Sequence, residues 1–175
     1  MSARALTTAL LLVGLVAAAS AWPKAPAGAV VATARLAAVR NLTTSRGHGR
    51  VEFVINGPEP VNGTVSIALN GVMANITMVH IHQRNASLNN PVRLDLVPRT
   101  PSAAPVLLDP PYSYNGGLDL TTAFDGARLA RWGLSVEEFL FLLKRDKLYV
   151  NVHTLSYPGG EIQGMLKCKQ PCRFG

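Results

Sequence analysis

The sequence predicts a mainly β protein: an antiparallel β-sandwich or Greek-key barrel with one short helix before a C-terminal hairpin. Three observations lead there. Apolar and polar residues alternate over several short runs, the period of a half-buried strand. Gly, Pro and Asn clusters separate those runs. Helical spacing of apolar residues occurs once, shortly before the final hairpin. No repeat of solenoid period is visible, and 175 residues suffice for one domain with a real core.

The chain opens with Arg4, then an apolar run from Ala5 to Ala18, then Ala19-Ser20-Ala21. A basic start, an apolar run and a small-x-small site make a signal peptide over 1–21, cleaved before Trp22. The run is shorter than the roughly 20 residues a bilayer span needs. Residues 22–29 are Pro- and Ala-rich and read as a flexible lead-in. Residues 30–167 then form the β domain, and 168–175 a Cys-containing tail.

Val30–Val39 reads as the first strand, and Arg40–Gly49 as a polar loop. Val51, Phe53 and Ile55 alternate with Glu52, Val54 and Asn56, a strand that Asn56-Gly57-Pro58 breaks. Val65, Ile67 and Leu69 mark another, ended by the turn dipeptide Asn70-Gly71. Asn75–His82 follows, with Ile76, Met78, His80 and His82 on one face. Val92, Leu94 and Leu96 form the next strand. Pro98–Asn115 holds five prolines and reads as a long loop. Leu118–Thr122 is a short strand. Ser135-Val-Glu-Glu138 is a capping box, whose hydroxyl and carboxylate satisfy each other's backbone amides. Val136, Phe139, Leu140 and Leu143 follow at helical spacing, with Lys144 and Arg145 at the dipole's negative end.

Leu148–Leu166 carries the most information. Leu148, Val150, Val152 and Thr154 share one face; Tyr149, Asn151 and His153 share the other. Tyr157–Gly160 reads as a type II turn, with Pro158 at its second position and Gly159 where φ must be positive. Ile162 and Leu166 resume the apolar face, and Gly164 invites close backbone approach.

YVNVHT followed by YPGGEIQG resembles the closing hairpin of the CHRD domain, the module first named from chordin. VHIH at Val79–His82 is similar to a second block of that family. The resemblance spans roughly Ala32 to Lys167 and places Asn151, His153, Gly159, Gly160, Glu161 and Gly164 in the family motif. The chain carries Gln83-Arg84 where Gly-Pro usually follows HIH, and Gln163 and Met165 where Arg and Gln are usual. The resemblance implies a β-fold and a secreted, non-catalytic binding module without a named ligand.

Chemistry concentrates on the histidines. His80 and His82, two residues apart on a strand, project from one face about 6–7 Å apart. That spacing lets two imidazoles meet one metal ion, with His153 as a third ligand; copper or zinc are the candidate metals. The competing reading is structural: the rings hydrogen-bond within the sheet and fix strand ends. The His-x-His pair also resembles part of the copper–zinc superoxide dismutase site. That family uses six histidines and an aspartate. Four histidines exclude the dinuclear centre, and a single copper site on that pattern would need His48 as well. No nucleophile elbow, zincin helix or P-loop is present. Glu161 reads as a carboxylate paired with a nearby Arg, Lys or backbone amide, and Glu52 and Asp95 as strand-face charges.

Asn41, Asn62, Asn75 and Asn85 each open an N-x-[ST] sequon, expected to be glycosylated on the secretory route. Cys168 and Cys172 are the only cysteines, and an oxidising compartment favours pairing, within the chain or between chains. A bridge within the chain would clip the tail and leave core stability nearly unchanged. Net charge is +7, with one basic cluster at Arg40, Arg46, His48 and Arg50. An extracellular protein or an acidic polysaccharide is the expected partner. Nucleic acid is not expected, since no basic motif is interleaved with aromatics.

Overall fold

A computed structural model describes residues 22, 24–40, 42–57, 61–97, 112–169 and 172–174. The expected signal peptide, the Asn41 sequon and most of the Pro98–Asn115 loop therefore lie outside the described residues. Eight strands appear: β1 (Val30–Ala38), β2 (His48–Asn56), β3 (Asn62–Gln83), β4 (Val92–Asp95), β5 (Tyr112–Asp125), β6 (Leu148–Thr154), β7 (Ile162–Met165) and β8 (Lys167–Cys168). Helices α1 (Gly126–Ala130) and α2 (Val136–Lys144) stand between β5 and β6. The fold is mainly β and antiparallel, a sheet curled into a half-barrel in the order β2-β1-β7-β6-β3-β4. β2 pairs β3 as well, so the order returns on itself.

The curl follows from β3. Its first part, Asn62–Asn70, pairs β2 on one edge and β5 on the other. Its second part pairs β6 and β4. The Asn70-Gly71 turn expected from sequence is not formed: β3 runs straight through it for 22 residues. Gly71 does take a positive φ, 87°, beside the Arg46 carbonyl, so the dipeptide's flexibility is used inside a strand. The bend comes later. The register slips between Met73 and Ile76 and again between Ile76 and Met78, with Asn75 at φ 56°. This slip also moves Ile76 into the core with Val79, away from the face expected for it beside His80.

Alternation fills the core as read. Val30, Ala32, Ala34 and Leu36 of β1 point inward with Val51, Phe53 and Ile55 of β2. Phe53, Phe124 and Phe139 meet with ring centroids 5.6–5.9 Å apart, joining β2, β5 and α2. The Ser135 hydroxyl accepts the Glu138 amide at 3.1 Å, so half of the expected capping box starts α2. The short α1 was not anticipated; Asp125 caps it by accepting the Arg128 amide at 2.6 Å. The stretch expected as a strand at 118–122 belongs to a much longer β5 that begins at Tyr112, within the expected loop.

Two further expectations change. The tail is not peripheral. β8 pairs β1, Cys168 bonds Cys172, and Cys172 is buried in the core. The last turn expected as type II closes with a Gly160 amide to Tyr157 carbonyl bond of 2.9 Å. The positive φ, 120°, falls on Gly160, however, and not on Gly159, so the turn is of another type.

Candidate metal centre

Val79 and Ile81 of β3 and Val150 and Val152 of β6 face the core. Parity then sends His80 and His82, with Tyr149, Asn151 and His153, to the opposite face. In register, Met78 stands opposite His153, His80 opposite Asn151, and His82 opposite Tyr149. Two loops lean on this face. The loop at 84–91 is held by Asn90, whose side chain accepts the Asn85 amide at 2.9 Å. The loop at 155–161 is the closing turn of the hairpin.

The loops supply backbone carbonyls to the rings. His82 Nδ1 meets the Asn90 carbonyl at 2.8 Å, and His153 Nδ1 meets the Pro158 carbonyl at 2.8 Å. A carbonyl oxygen only accepts, so both Nδ1 atoms carry the proton. In the neutral ring that leaves each Nε2 with a bare lone pair. These two Nε2 atoms lie 3.3 Å apart. They could share a proton only if one ring were an imidazolium. Burial pushes both pKa values below the usual histidine value, against the opposing effect of the carbonyl bonds. Near neutral pH two lone pairs therefore face each other, an arrangement that a cation between them relieves.

His80 completes the group. It is 1 % exposed, and neither ring nitrogen has a hydrogen-bond partner among the described residues. Its pKa falls to about 3, chiefly through burial and then through the neighbouring His153 and His82. One ligand atom from each of His80, His82 and His153 lies within 4.8 Å of the others. An ion about 2.05 Å from two nitrogens 3.3 Å apart subtends roughly 107°, close to a tetrahedral angle. Three nitrogens around one such ion stand about 3.3–3.6 Å apart at tetrahedral to trigonal angles. The widest gap must therefore close by up to about 1.2–1.5 Å, and His80 is the ring with no hydrogen bond to break among the described residues. The residues present thus fit a small transition-metal ion, with the two carbonyls as the outer partners that fix ring orientation.

The other singled-out residues divide. His48 is exposed at the start of β2, its Nδ1 3.3 Å from the Arg46 carbonyl, and is not in the cluster. The four-histidine copper pattern is not assembled. Asn151 donates to the Gly159 carbonyl at 3.1 Å and ties the turn to β6. A Cβ on Gly160 would strike that Asn151 amide, and one on Gly164 would strike the Arg35 carbonyl of β1; Gly159 has open space around it. Among the described residues Glu161 is paired with neither a cation nor a backbone amide, contrary to expectation. Its carboxylate is buried and accepts the Ser45 hydroxyl at 2.6 Å and the Thr154 hydroxyl at 2.8 Å. Asp95 is likewise buried and accepts the Val97 amide at 3.2 Å; its backbone carbonyl takes the Arg128 guanidinium at 2.6 Å. Glu52 is a strand-face charge, bonded to Lys169 at 3.1 Å. Asn62 and Asn75 are exposed, and Asn85 is half-buried with its side chain bonded to Ser87 of its own sequon. Arg40 and Arg46 are exposed, and Arg50 lies over the Trp22 ring at 3.9 Å.

Sequence reasoning missed the Asn90 and Pro158 carbonyls, because backbone acceptors leave no mark in side-chain identity. It also missed a cavity of about 480 Å³ beside His82, lined by Arg84, Asn90, Tyr149, Gln163, Gly164 and Met165. His82 stacks on Tyr149 there, with centroids 5.2 Å apart.

Among the described residues no helix is long and apolar enough to cross a membrane. No curated protein and no solved structure matches the chain. The family model for the CHRD domain matches residues 28–166, from just before β1 to the end of the closing hairpin. With both the hairpin and the HIH strand inside that match, the chain belongs to the CHRD domain family.

Proposed function

We propose that this chain is a secreted, non-catalytic binding module whose ligand at His80, His82 and His153 is one copper or zinc ion. The observation that carries the reading is the pair of Nε2 atoms 3.3 Å apart, each made a bare lone pair by an Nδ1–carbonyl bond on the far side of its ring. A purely structural pair of histidines would turn one donor toward one acceptor. Here two acceptors meet, beside a third buried imidazole with nothing to bond among the described residues. The family places such domains in extracellular proteins, which supports the secreted setting.

The test is metal analysis of the chain purified from a secretory host, then reloaded with copper or zinc and desalted. One equivalent per chain is expected. His82→Ala should reduce it to background, and His48→Ala should leave it unchanged. A wild-type chain that folds but retains no metal after reloading would refute the proposal. His82→Ala would then show only a stability loss of about 1–3 kcal/mol from its stranded partners.

A further inference from the structure

We infer that the ion this site prefers is monovalent copper, an inference that rests on the metal reading above. The donor set is three imidazoles, all neutral. No carboxylate or thiolate belongs to the cluster among the described residues. The two buried carboxylates nearest in the ladders serve other groups. Asp95 stands opposite His80 in the β3–β4 ladder, yet its carboxylate accepts the Val97 amide and its charge acts on Arg128. Glu161 spends both oxygens on Ser45 and Thr154. Cys168 and Cys172 are joined to each other.

A dication here would therefore sit in a buried pocket with no anion among its ligands. The cost of burying an ion rises with the square of its charge, so a divalent ion costs about four times a monovalent one of similar size. Coordination number points the same way. Zinc held by three histidines takes a water as its fourth ligand, and here His80 and His153 are buried away from solvent. Three imidazoles complete a three-coordinate monocation. Softness adds to this. Met78 is half-buried on the same face, directly opposite His153 in the ladder, so the strand neighbour of one ligand is a soft thioether residue.

Metal-stripped full-length chain should be titrated without oxygen with monovalent copper against bicinchoninate, and separately with zinc against a chromophoric chelator. One equivalent of monovalent copper is expected, bound at least a hundredfold more tightly than zinc. The absorption edge of the loaded protein should carry the signature of a three-coordinate, nitrogen-ligated ion. Zinc bound as tightly or more tightly would overturn this inference and leave the metal site standing. Failure of both metals to bind would overturn both readings. Equal copper binding by wild type and His82→Ala would place the copper elsewhere and also overturn it.

Discussion

Gly160 and its neighbour Gly159 offer a test with its own control. Both belong to the family motif, and sequence alone gives them equal weight. The structure does not. Gly160 has φ 120°, and a Cβ there would collide with the Asn151 side chain, 2.7 Å from its Cγ. Asn151 is buried and cannot swing into solvent without releasing the Gly159 carbonyl. Gly160→Ala therefore combines backbone strain of about 1–3 kcal/mol with loss of a hydrogen bond of about 1 kcal/mol. For a domain of this size roughly 2–4 kcal/mol lowers the thermal midpoint by about 5–15 °C. Gly159→Ala meets nothing within 4 Å at an ordinary φ, so its midpoint should stay within about 2 °C. The assay is thermal unfolding of both variants followed by circular dichroism. If the two variants melt together, the collision between Gly160 and Asn151 is not real, and the account of how the turn is fixed falls with it. The Gly160 variant should also bind metal less well, since the same turn presents the Pro158 carbonyl to His153.

Two further outcomes concern the chain ends. Replacing Cys168 and Cys172 together by Ser should lower the midpoint by roughly 6–12 °C, from about 2 kcal/mol of loop entropy and about 1 kcal/mol of lost burial at Cys172; an unchanged midpoint would show that Cys172 is not packed in the core, and a reducible dimer on a gel would show pairing between chains. Secreted material should begin at or near Trp22 on N-terminal sequencing and lose mass on peptide-N-glycosidase treatment, whereas recovery of residues 5–18 in an integral membrane fraction would defeat the signal-peptide reading.

Much of the fold was legible because alternation is a local signal. Val51-Glu52-Phe53-Val54-Ile55 reads the same in the sequence as in β2, and Ser135 announces the start of α2 three residues before Glu138. The histidine cluster was legible for the same reason: period 2 puts His80 with His82, and the motif puts His153 on a facing strand. What escaped was set by neighbours far along the chain. Asn70-Gly71 has turn chemistry, but β5 continues pairing past it, Gly71 to Gly116, and the ladder overrides the local preference. The slip at Ile76 that redirects its side chain depends on β6, some seventy residues later. Asp95 reads as a strand-face charge and Glu161 as the partner of a cation or an amide until Arg128, Ser45 and Thr154 are brought against them. Cys172 follows a Pro in a polar tail, and only the pairing of β8 with β1 carries it inward.

That pairing has a consequence for how the protein is made. β1 is made well before its partners on one edge: Ala38 pairs with Ile162 and Ala32 with Cys168, more than 120 residues downstream. One edge of β1 must wait, unpaired, until residues 162–168 are made. β2 can join it early, but the sheet cannot curl shut until β7 and β8 arrive. Until then the half-made domain offers an open strand edge to any other chain nearby. The Cys168–Cys172 bond joins residues only four apart at this closing strand, so it holds β8 and Cys172 together where they meet β1.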